Sequence, residues 1–191
     1  MKNILFLLYS TLFTVMIACN SQEKDSKELA DSINQTKDTV TNSADIITVR
    51  DNEAEFATNA ADASLAEINF ANLAIANTSN QEIKNYANMM LKDHGMANDE
   101  LMALAKSKNI TLPATMSSEH QKHRNELAEK KGTDFDKKYA QLMEENHVKV
   151  LAVMEHEARK GTDTDLKAFA SKMVSVVNSH LNAIRKIKKG L

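Results

Sequence analysis

The sequence predicts an all-α fold built on a bundle of four helices, and three observations lead there. Apolar residues recur at steps of three and four along long stretches, the spacing that keeps side chains on one helical face. One proline and four glycines interrupt 191 residues, so tight turns are few. No segment alternates apolar and polar residues as a half-buried strand does. The length suits one ordinary domain with extra segments. Apolar residues at 42% and charged residues at 26% are normal for a soluble globular protein.

At the start of the chain, Lys2 is followed by the apolar run from Ile4 to Ala18 and then by Cys19. A short positive start before an apolar core reads as a secretory signal over residues 1–18. Met16-Ile17-Ala18-Cys19 resembles a bacterial lipobox, with Met16 where leucine is usual. In such signals the cysteine is lipidated and becomes the mature N-terminus. The apolar run is shorter than the roughly 20 residues a membrane span needs. Cys19 is the one cysteine, so an internal disulfide is excluded, and once lipidated it is no catalytic thiol. Residues 19–51 are dominated by Ser, Asn, Gln, Thr, Lys and Asp. Such a stretch buries too little apolar surface to offset its conformational entropy. It reads as a flexible tether with transient helix around Leu29 to Val40.

The folded domain is expected over residues 52–189. Its first long helix spans about Glu53–Ala76 and is rich in alanine. Ser79-Asn80-Gln81-Glu82 has the spacing of a capping box, serine followed three residues later by glutamate, and starts a second helix over about Gln81–Lys106. So short a link makes these helices antiparallel neighbours. Ile110-Thr111-Leu112-Pro113 ends the second helix, because the residue before proline avoids helical angles. A short helix over Ser117 to Lys131 follows, closed by Gly132. The third long helix, about Phe135–Lys160, has Thr133 or Asp134 as cap. The fourth, about Thr164–Lys188, has Thr162 or Asp163 as cap. Arg185, Lys186 and Lys188 in its last turns suit the negative end of the helix dipole. Short loop, long loop, short loop is the ferritin-like connectivity, here with a long crossover that contains a short helix between helices two and three.

Three histidines fall inside the apolar stripes, where leucine would be ordinary. His94 lies in the series Ile83, Ala87, Met90, His94, Ala97, Leu101, Leu104. His180 lies in the series Leu166, Phe169, Met173, Val177, His180, Ile184, Ile187, and His147 shares a face with Met143, Val150 and Met154. Glu67 is in phase with Phe56, Ala60, Ala63, Ala71 and Ala74. Each of the four long helices thus points one polar, ligand-type residue at the core, and a buried polar group costs free energy unless it has a partner.

Ferritin-like di-metal sites use a glutamate from two helices and a Glu-x-x-His unit from the other two. Only Glu144-Glu145-Asn146-His147 completes such a unit; Leu91 and Val177 stand three residues before His94 and His180. Too few carboxylates remain for a di-iron centre, which speaks against an oxidase or ferroxidase. Three imidazoles with Glu67 or Glu144 suit a single transition-metal ion (Zn, Fe, Mn, Cu or Ni). The same residues can instead form a metal-free hydrogen-bonded network that fixes helix register in a structural or interaction module. Asp93, about 100° round the helix from His94, can serve a neighbouring histidine as an outer partner.

Other residues carry less. His120 and His123 stand one turn apart among charged residues and are expected in solvent; His156, between Glu155 and Glu157, belongs on a polar face. Methionines such as Met89, Met90, Met143, Met154 and Met173 follow the stripes as core filler. No glycine-rich phosphate loop and no nucleophile elbow is present. With a net charge of −2 and no basic run interleaved with aromatics, nucleic acid is excluded as a partner.

Over about Asn52–Lys188 the chain resembles domain of unknown function 4142, a family of bacterial secreted or envelope proteins classed with the ferritin-like superfamily. The residues that carry the resemblance are Phe56 with its alanine-rich run, Tyr86-Ala87-Asn88-Met89-Met90-Leu91-Lys92-Asp93-His94, Leu112-Pro113, Phe135-Asp136-Lys137-Lys138-Tyr139, His147, Leu166-Lys167-Ala168-Phe169-Ala170 and His180-Leu181. The resemblance implies a four-helix bundle and an envelope location, without an established activity. Where the family carries proline before the last histidine, this chain has Val174-Ser175-Val176-Val177, which implies a straighter fourth helix. The protein expected is lipid-anchored through Cys19 to the bacterial cell envelope, at the outer membrane. Its role would be metal handling or envelope stress rather than turnover of an organic substrate.

Overall fold

The computed structural model describes residues 25–39 and 51–191; the expected signal segment 1–18 and Cys19 lie outside the described residues. Six helices follow one another: α1 (Ser26–Thr39), α2 (Asp51–Asn77), α3 (Gln81–Ser107), α4 (Ser118–Ala128), α5 (Gly132–Lys160) and α6 (Thr164–Lys188). Among the described residues there is no strand.

Local chemistry sets the helix ends. Asn80, rather than Ser79, caps α3: its Oδ1 accepts from Glu82 N at 2.8 Å and Ile83 N at 3.3 Å. Asp163 caps α6 in the same way, accepting from Asp165 N at 3.0 Å and Leu166 N at 2.9 Å. Neither Thr133 nor Asp134 caps α5, which begins at Gly132 after Lys131 with no side-chain cap. Gly132 has φ +52°, which glycine adopts without a Cβ penalty. α3 stops before Pro113 because Asn109 turns left-handed at φ 56°. Ile110 N then donates to Ala105 O at 2.8 Å and Asn109 N to Lys106 O at 3.3 Å, a Schellman closure.

α2 packs against α3 and α5, and α6 packs against the same two helices. Two apolar clusters fill the space between them. One contains Phe70, Ile83, Tyr86, Met90, Phe135, Tyr139, Met143 and Ile184. The other contains Phe56, Leu101, Val150, Met154, Leu166, Phe169, Met173 and Val177. α3 and α5 run from the first cluster to the second, and α2 and α6 run the other way. Each long helix therefore lies antiparallel to its two neighbours, and residues 108–131 return the chain along the length of the domain. Between the clusters each helix contributes one buried polar residue: Glu67, His94, His147 and His180.

The expected tether over residues 19–51 is corrected at Ser26–Thr39. α1 packs on α2, with Ala30 and Asn34 each 2% exposed. Its docking is polar. Asn34 Nδ2 donates to Thr111 O at 2.9 Å, and Thr111 N donates back to Asn34 Oδ1 at 2.8 Å. Lys37 Nζ reaches Asn109 O at 2.8 Å, and Asp25 Oδ2 accepts from Ser118 N at 2.9 Å. Hydropathy registers none of these bonds, so a hydrophilic segment with few apolar residues read as unfolded.

Candidate metal centre

Helical phase delivers the four polar residues to one layer, and burial there is nearly complete. Glu67 and His147 are 0% exposed, His180 1% and His94 3%. The imidazoles form a triangle, with ring centroids 5.9 Å apart for His94–His147, 5.3 Å for His94–His180 and 5.5 Å for His147–His180. One ring nitrogen from each lies within 4.8 Å of the other two.

Each ring has one nitrogen held from outside the triangle. His147 Nδ1 donates to Met143 O, one turn back on its own helix, at 2.8 Å, and also stands 3.1 Å from Glu67 Oε1. His94 Nδ1 is 3.2 Å from Glu67 Oε2. His180 Nε2 is 3.0 Å from Asp93 Oδ2, so Asp93 is the outer partner that its place beside His94 suggested. With those nitrogens protonated and facing acceptors, the second nitrogen of each ring carries a free lone pair. These are His94 Nε2, His147 Nε2 and His180 Nδ1, and all three are buried without a hydrogen-bond partner. Outer acceptors that fix the tautomer and aim of each ring are what metal-ligating histidines need.

Electrostatics points the same way. Burial, with the neighbouring imidazoles, holds His94 well below the usual histidine range and brings His147 down to about 3. Both are therefore neutral at physiological pH, the form that binds an ion. Burial pushes Glu67 up to about 8. Tyr86 and Tyr139 are also pushed up by burial and by the nearby Glu67 charge. Tyr86 packs edge-on to His180 with centroids 6.5 Å apart, and both tyrosine hydroxyls are buried without a partner. A cation among three neutral imidazoles would supply the countercharge that a Glu67 carboxylate lacks. Three nitrogen donors suit borderline metals rather than magnesium or calcium. Zn–N bonds of about 2.0–2.1 Å at tetrahedral angles put donors about 3.3 Å apart, a spacing the rings reach by rotating about their side-chain bonds.

Glu144 is not in this layer. Its oxygens accept from Arg185 Nε at 2.9 Å and Lys188 Nζ at 2.8 Å on the outside of α6. A step of three residues leaves it about 60° round the helix from His147, enough to face those cations instead. Glu67 lies in the layer, against the outer nitrogens of two rings. His156 is exposed, as expected. His120 departs from the solvated expectation: its Nδ1 is 3.0 Å from Asp62 Oδ2 and 3.3 Å from Ser117 Oγ. Asp62 is buried, which alone would raise its pKa, but bonds from His120 and the Ser117 N–H outweigh this and hold it low. The Asp62–Ser117–His120 group escaped notice in the sequence because it joins α2 to the start of α4, a contact no helical spacing encodes.

A model of the family described as Domain of unknown function (DUF4142) matches residues 35–187. The chain belongs to this family. The DUF4142 match begins inside α1, ahead of the expected boundary at Asn52, and takes in every residue of the histidine layer. No curated protein and no solved structure matches the chain.

Proposed function

We propose that this DUF4142 protein holds a single transition-metal ion through His94 Nε2, His147 Nε2 and His180 Nδ1. Glu67 and Asp93 act as outer partners of those rings. The observation that carries the reading is the division of labour within each imidazole: one nitrogen faces an acceptor outside the triangle, while the other is buried, unpartnered and turned to its two counterparts. A metal-free network would leave three buried lone pairs unmet at a cost of about 1–3 kcal/mol each. The four long helices, with a crossover joining two that run parallel, support a ferritin-like four-helix arrangement as the frame. Two of the three histidines lack the glutamate of a Glu-x-x-His unit and Glu144 faces outward, which favours one ion over a di-metal centre. The role that follows is metal handling or protection of the envelope from metal stress.

Metal analysis tests this directly. Domain purified without chelator and supplied with Zn, Fe, Mn, Cu or Ni is expected to retain one ion per chain, and His147→Ala to lose it. A folded wild-type domain that retains no stoichiometric ion would establish the buried network instead.

The lipobox-like Met16-Ile17-Ala18-Cys19 supports a lipid anchor at the outer membrane. No described helix is long and apolar enough to cross a membrane. Cys19→Ser is expected to release the protein from the membrane fraction; undiminished retention would count against lipidation.

A further inference from the structure

The histidine layer is packed differently on its two sides. Toward one apolar cluster, the next residues on the same stripes are Met90 and Met143, both 0% exposed, with Tyr86 and Tyr139 beyond them. Toward the other there is a small chamber of about 20 Å³. Its walls are in register with the layer. Ala97 and Leu101 stand three and seven residues after His94, and Val150 and Met154 stand three and seven after His147. Met173 stands seven before His180. Three- and seven-residue steps return to the same helical face, so the chamber lies directly against the polar layer.

Polarity in the chamber is confined to one end. Glu67 and His94 face it, and the hydroxyl of Ser64 is already directed to His94 O at 3.4 Å. The other walls are alanine, valine, leucine, phenylalanine and methionine side chains, apart from Asn98 at the rim. A space of about 10–15 Å³ is needed for one water, so the chamber accepts one or two small atoms' worth of ligand and no ring. Three protein nitrogens on an ion leave at least one coordination position for an outside ligand, as in metal sites that are not closed by a fourth side chain.

We propose that this chamber is the exogenous-ligand pocket of the metal centre: it admits a ligand of two or three atoms to the ion and rejects anything the size of a five-membered ring. The inference rests on the metal reading above. It gives the ion a role beyond holding helices together, namely contact with a small diffusible molecule screened by size.

The test uses Co2+ in place of the native ion, because its visible spectrum reports its ligands. In the Co2+-loaded domain, azide is expected to change the spectrum saturably, and imidazole at equal concentration is expected to leave it unchanged. Ala97→Leu fills the chamber and should weaken azide binding at least ~10-fold with Co2+ stoichiometry retained, since overpacking a tight site is costly. Met173→Ala opens the chamber and should let imidazole act. If Ala97→Leu does not fold, Met173→Ala and Leu101→Ala keep the size test decisive. Failure to bind Co2+ at all overturns the metal reading and this inference with it. Bound Co2+ that ignores azide, or that accepts imidazole as readily in the wild type, overturns this inference alone.

Discussion

Asp93 sits at the edge of the histidine layer, with its side chain 28% exposed, and its carboxylate turns His180 so that Nδ1 faces inward. An outer acceptor of this kind raises the basicity of the ligand and locks its orientation, and removing one typically costs 10–100-fold in metal affinity. Asp93→Ala is therefore expected to weaken metal binding by about that factor while leaving the helical circular dichroism intact, because no buried group loses its packing. Equal affinity in a competition titration would show that His180 is held by its neighbours alone. The histidines themselves were legible from their stripes, since three- and four-residue spacing fixes which face a side chain occupies. Glu144 was not. Spacing places a residue on a face to within tens of degrees, and a carboxylate so placed follows the nearest strong cation, here Arg185 and Lys188 on α6. The tautomer of each ring was also beyond the sequence, because it depends on Met143 O, Glu67 and Asp93 in three dimensions.

The long helices could be read from hydropathy because each buries a continuous apolar stripe. α1 could not, because what fixes it is a set of hydrogen bonds to the loop after α3. That loop is itself shaped by the left-handed Asn109, which aims Thr111 at Asn34. Asn34 makes both bonds of the reciprocal pair, and its amide is 2% exposed. Asn34→Ala deletes two buried hydrogen bonds and leaves the Thr111 N–H and C=O unmet, at about 1–3 kcal/mol for each group stranded. Local opening of α1 should follow, with the other helices retained. Hydrogen exchange measured by mass spectrometry is expected to show α1 and residues 108–113 losing protection, with α5 and α6 unchanged. If α1 remained protected in the variant, its docking would have to come from Ala30 and its packing on α2.

At the scale of the whole molecule, a polar layer divides what would otherwise be one continuous core. The two apolar clusters meet across Glu67, His94, His147 and His180, so the middle of the domain depends on what satisfies those groups. Without an ion, three unpartnered nitrogens and a carboxyl held protonated by burial occupy the position where aliphatic packing would stabilise most. With an ion, the same atoms become cross-links between α3, α5 and α6. An ion that binds the folded chain and not the unfolded one stabilises it by about 2.7 kcal/mol at a free concentration of 100 times its Kd. For a domain of this size each kcal/mol moves Tm by about 2–4 °C, so the preferred metal should raise Tm by roughly 5–10 °C at that concentration. Chelation should reverse the shift, and His147→Ala should abolish it, in thermal scans followed by circular dichroism. An ion that bound with one-to-one stoichiometry yet left Tm unchanged would have to sit outside the polar layer, since a ligand joining three helices at the centre of the core cannot be neutral to their separation.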